Sequence, residues 1–66
     1  MERERVIAIL SDEAKISEIS EKHWYNEYLN ELDDTKAEAA YRLYREFKAE
    51  ARILNEIISK IARLDE

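Results

Sequence analysis

The residue best suited to chemistry is His23, the single histidine of the chain. It stands in Ser20-Glu21-Lys22-His23-Trp24-Tyr25-Asn26-Glu27. Imidazole is the side chain that most readily changes charge near neutral pH. Acid–base work needs a placed partner, and Glu27, about one helical turn on, is the local candidate. A helical di-metal centre would require a glutamate three residues before the histidine. Ser20 holds that position, and one ligand does not make a metal site. His23 therefore reads as a contact residue, with no metal assigned. Asp33-Asp34 offers adjacent carboxylates, but a calcium loop needs ligands at alternate positions around a central glycine. The chain has no glycine. No phosphate loop, nucleophile elbow or zinc knuckle is present either. The expectation is a protein that is not an enzyme, binds no cofactor and takes no small-molecule substrate.

The aromatic residues Trp24, Tyr25, Tyr28, Tyr41, Tyr44 and Phe47 all lie near the middle of the chain. Tyr25, Tyr28, Tyr44 and Phe47 read as core, with the tyrosine hydroxyls at its rim. Trp24 and Tyr41 read as contact candidates, because Trp, Tyr and Arg dominate binding hot spots. Tyr41 falls off the packing face of its helix, beside Arg45 and Lys48. Aromatics next to cations can also stack nucleic-acid bases, but the net charge of −5 opposes phosphate binding. Eight acids lie between Asp12 and Asp34 against Lys15 and Lys22. The balance reverses from Arg42 to Arg52, where Arg42, Arg45, Lys48 and Arg52 meet only Glu46 and Glu50.

The elements that carry these residues follow from composition and period. Sixty-six residues make one small helical domain, 1–66. Such a chain rarely stabilises itself by more than about 3–5 kcal/mol without a disulfide, a metal, a partner or very regular packing. Cysteine, glycine and proline are all absent. Disulfides are thus excluded and tight strand turns are disfavoured, while nearly every residue can be helical. No apolar run approaches the roughly 18 residues of a membrane span. The start, Met1-Glu2-Arg3-Glu4-Arg5, precedes only five apolar residues, too few for a secretory signal.

The turn is expected at Leu32-Asp33-Asp34-Thr35-Lys36-Ala37-Glu38. Thr35 and Glu38 form a T-x-x-E capping box, which predicts a helix starting at Lys36. Asp33 or Asp34 is expected to adopt the left-handed conformation that ends the helix before it. The fold class is all-α: an antiparallel hairpin of two long helices, about 3–32 and 36–65. On the first, Val6, Ile7, Leu10, Ala14, Trp24, Tyr25, Tyr28, Leu29 and Leu32 share a face at 100° per residue. Ser17, Glu18 and Glu21 interrupt it. On the second, Ala40, Leu43, Tyr44, Phe47, Ala51, Leu54, Ile57, Ile58, Ile61 and Ala62 share a face. Ser11-Asp12-Glu13 resembles an N-cap with acids in the first turn. The alternative is therefore a three-helix bundle with a break near Ser11. The polar middle, Glu18, Glu21 and Glu50, predicts arms that splay, or a kink at Ser11 that turns Ile16 and Ile19 inward.

Unbroken, the first helix carries a second stripe opposite its packing face. Ile9, Ile16, Ile19 and His23 recur at spacings of seven, three and four, and Asn26 and Asn30 continue it in polar form. A two-helix hairpin leaves this stripe uncovered, so another element or another chain must meet it.

Leu29-Asn30-Glu31-Leu32-Asp33 resembles the turn approach of the Rop family of helical hairpins. That resemblance implies an antiparallel four-helix homodimer and RNA binding on a basic face of the first helices. Here the first arm is acidic, so RNA binding is not carried over. The whole chain also resembles de novo designed helical mini-proteins, in its lack of Gly, Cys and Pro and its density of Glu, Lys and Arg. Most of those are made to bind a chosen protein. Two expectations result. The first is a non-enzymatic module that binds a protein partner through Ile9, Ile16, Ile19, His23, Trp24, Asn26 and Tyr41. The second is a self-associating hairpin in which the stripe meets its own copy. Neither involves nucleic acid or membrane.

Overall fold

A computed structural model describes residues 2–64. It is a hairpin of two equal helices, α1 (Glu2–Asn30) and α2 (Asp34–Ala62), 29 residues each. They pack side by side in a single layer of 50 × 15 × 11 Å. The end expected at residue 65 lies outside the described residues.

Buried and half-buried positions reveal the packing rule. On α1 they are Arg3, Ile7, Leu10, Ala14, Ser17, Glu21 and Trp24, spaced alternately by four and three, with Ser20 half-buried just off this line. On α2 they are Ala37, Ala40, Tyr44, Phe47, Ala51, Leu54, Ile58 and Ile61, with the same alternation. A 3.5-residue repeat on both partners is the seam of an antiparallel coiled coil, with helices crossing at about 20°. Leu43 is also half-buried, just off the seam.

The seam closes on small side chains, three of them near its middle and Ala40 nearer the turn. Ala14, Ser17, Ala40 and Ala51 are the buried residues among those described. Small residues let the helix axes approach, so the arms do not splay. The polar middle fits for a different reason. Glu18 and Glu50 lie at the edges, exposed, while Glu21 is only half-buried. Carboxylates that keep water avoid the burial penalty. Nor is there a kink at Ser11. Helix α1 runs unbroken through Ser11 and Asp12, both exposed, and Ile16 and Ile19 stay outside.

The turn corrects three expectations. Asp33, not Thr35, caps α2: its Oδ1 accepts from the Lys36 backbone N–H at 3.1 Å. The helix therefore starts at Asp34, and the Ala37 N–H already donates to the Asp33 carbonyl at 2.8 Å. A carboxylate held in extended backbone (φ −88°, ψ 121°) is both a favoured cap and a partner for the helix dipole. No described residue takes a positive φ, so no left-handed aspartate ends α1. Instead the Asn30 side-chain amide donates to the Asn26 carbonyl at 2.9 Å, and the Glu31 carboxylate accepts the Asp33 N–H at 3.1 Å. Leu32, expected on the packing face, lies in this turn at 97% exposure. At the far end, the Arg63 N–H and side chain satisfy the last carbonyls of α2, including Ser59.

Candidate functional site

Heptad bookkeeping on α1 shows what the seam leaves outside. Ile9, Asp12, Ile16, Ile19, His23, Asn26 and Asn30 also alternate by three and four. They form a second stripe of coiled-coil spacing on the side turned away from α2. Ile9 is 55% exposed, Ile16 57% and Ile19 65%. His23 and Asn26 are exposed on the same side. From Ile9 to His23 the stripe runs about 21 Å along the axis. Five of the seven expected site residues are thus aligned on one helix surface.

The other two stand elsewhere. Trp24 is half-buried at a seam position, where its ring meets the His23 ring edge-on, centroids 4.9 Å apart. It ties the outer stripe to the packing seam. Tyr41 lies on another side of the hairpin, in a cluster of four tyrosines. Its ring is 5.0 Å from Tyr28 and 5.6 Å from Tyr44, and Tyr44 is 4.9 Å from Tyr25. Tyr25 and Tyr28, expected as core, are the exposed edge of this cluster, and Leu29 is more exposed still. The Lys48 ammonium joins it, donating to the Tyr44 hydroxyl at 3.4 Å and lying 5.6 Å from that ring. Beside the cluster an open cleft of about 690 Å³ is lined by Tyr28, Glu38, Tyr41, Arg42, Arg45, Glu46 and Ala49.

Sequence reasoning passed over apolar surface on α2. Ile53 is 49% exposed and Ile57 38%. Ile57 was counted with the core at 100° per residue. On the 3.5-residue repeat it moves one step off the seam, which is the signal that would have found it. Among the described residues, no group of three or more His, Cys, Asp or Glu side chains gathers as a metal ion would require. No helix among them is long and apolar enough to cross a membrane. The arrangement offers surface for contact: an apolar row interrupted by Asp12, with polar residues from His23 onward. No protein-family model, curated protein or solved structure matches the chain.

Proposed function

We propose that this chain is a non-enzymatic protein-binding module, akin to designed helical mini-binders, that presents the outer side of α1 to a protein partner. The observation that carries the reading is the row Ile9, Ile16 and Ile19, each more than half exposed on the side away from α2. A row of exposed apolar side chains on one side of a helix, here broken only by Asp12, is characteristic of a contact site. Burying what these three side chains still expose is worth on the order of 4 kcal/mol. Association itself costs at least about 4 kcal/mol. The stripe alone therefore supports a weak complex, and His23 and Asn26 select the register of the partner.

Photo-crosslinking tests this reading. Benzoylphenylalanine replaces Ile16 in one variant and Arg52, on a different side, in another. The expected result, in extract from cells that make the protein, is a discrete adduct from position 16 and none from position 52. No adduct from position 16, or the same adduct from both, would overturn it.

A second reading is a self-associating structural hairpin. It is favoured by the absence, among the described residues, of any large side chain that is fully buried. A monomer so sparsely cored gains by covering its stripe with another copy. The same experiment separates the two, because self-association yields an adduct of twice the 7.9 kDa chain mass.

A further inference from the structure

We infer that the face of the hairpin bearing Glu13 and Glu50 receives a basic amphipathic α-helix of another protein, laid lengthwise as the third helix of a bundle. The inference rests on the binding-module reading and names its partner's chemistry. It starts from the geometry of the seam. Around each helix, the positions on either side of a 3.5-residue seam border one face or the other. The two helices run in opposite directions, so like borders meet on the same side. One border is marked by the pairs Tyr25–Tyr44 and Tyr28–Tyr41. The other carries Val6, Glu13 and Ser20 on α1, and Leu43, Glu50 and Ile57 on α2.

This second border opens onto an apolar face. Val6 of α1 and Ile57 of α2 border it, and Ile9, Ile16 and Ile53 hold the next positions outward, all between 38% and 57% exposed. The groove between two 29-residue helices is about 43 Å long. A third helix fits such a groove by the same ridge packing that joins the first two.

Charge selects which helix. The face is edged by acids from both sides: Glu13 and Glu27 on α1, Glu46 and Glu50 on α2. Its cations, Lys36 and Lys60, are confined to the ends. The tyrosine face has a weak excess of the opposite sign, with Lys15, Lys22, Arg45, Lys48 and Arg52 against Glu4, Glu18, Asp34 and Glu38. A helix with cations along both edges complements the acidic face, and an acidic helix is repelled.

Charge also argues against a second copy on this face. Glu13 and Glu50 lie at the same level, each within about 5 Å along the axis of the middle of its helix. A two-fold dimer centred on the face would gather both residues of both copies around its axis. Four like charges in one desolvated patch oppose that assembly. A partner helix with a cation at its centre relieves them.

The probes are two synthetic 21-residue helical peptides with one leucine seam. One carries lysine on both edges and the other glutamate. Binding to the full chain is read by fluorescence anisotropy. The lysine-edged peptide is expected to bind at least tenfold tighter and to weaken as salt is raised. Glu13→Lys with Glu50→Lys, both at exposed positions, is expected to reverse the preference. Ile57→Glu is expected to lower lysine-peptide affinity at least tenfold, and Arg52→Ala to leave it unchanged. Equal binding of the two peptides, or a preference untouched by the double charge reversal, would overturn the inference. So would a tight dimer of the chain alone that Ile57→Glu dissociates, which would assign the face to a second copy. A position-16 adduct without peptide binding would sink the helical partner and spare the binding module. Peptide binding without a position-16 adduct would keep the acidic face as the contact and remove the outer stripe of α1 from it.

Discussion

The rings of Tyr25 and Tyr44 meet across the hairpin at 4.9 Å between centroids, tilted by 43°. One comes from the edge of α1 and the other from the seam of α2. They fix the register in which the arms fold back on each other. Aromatic pairs at this distance contribute about 0.5–1.5 kcal/mol beyond the area they bury. Tyr44→Ala is therefore expected to lower unfolding free energy by about 2 kcal/mol in urea titrations, a little below the range for fully buried aromatics. A change below about 0.5 kcal/mol would mean that the cluster is an ornament of the surface.

The cap at Asp33 separates two accounts of the turn. Asp33→Ala removes the acceptor of the Lys36 N–H and is expected to cost about 1 kcal/mol. Thr35→Ala, one residue inside α2, is expected to cost much less. Urea midpoints of the two variants decide. The opposite order would restore the capping box at Thr35 and Glu38.

Glu21 occupies a seam position where coiled coils place an apolar residue. Half-buried as it is, its charge contributes nothing to packing. Glu21→Leu is expected to raise the unfolding free energy by about 1 kcal/mol. The neighbouring Ser17, 2% exposed, has no spare volume. Ser17→Leu is expected to cost about 1–3 kcal/mol by forcing the helices apart. If Ser17→Leu stabilised the chain instead, the close approach of the helices there would be wrong.

The hairpin itself was legible in the sequence. Without glycine or proline, only the polar string around Asp33 could interrupt two long apolar periods. The seam was harder to read, because Ser17 and Glu21 occupy two of its core positions. An apolar count at 100° per residue drifts about 20° per heptad from the 3.5-residue repeat. Over four heptads that drift is enough to draw Leu29 onto the packing face, where it does not lie, while Leu32 leaves that face because α1 has already ended at Asn30. The same drift hid Ile57 in the core. The outer stripe escaped the error because it spans only two heptads from Ile9 to His23, over which the drift is about 40°. Continuity through Ser11 was legible from the phase of the pattern, while the Ser-Asp-Glu string suggested a cap that unbroken helix leaves unused.

Amide exchange provides an independent check of that continuity. Residues 9–13 lie in mid-helix, each N–H bonded to the carbonyl four residues before it. Protection is expected to run evenly through Ser11 and Asp12. A gap there would indicate a break and would move Ile16 and Ile19 toward the core.

The most direct measurement of the central claim is circular dichroism at 222 nm of Ile16→Glu, with its thermal unfolding, beside the parent chain. If Ile16 faces outward for a partner, the charge costs the hairpin nothing it uses. Helicity and unfolding midpoint are then expected to match the parent within a few degrees, as for other exposed substitutions of at most about 0.5 kcal/mol. Loss of helicity, or a fall in midpoint of more than about 10 °C, would show that the stripe is already packed against something the hairpin needs, and would contradict the account.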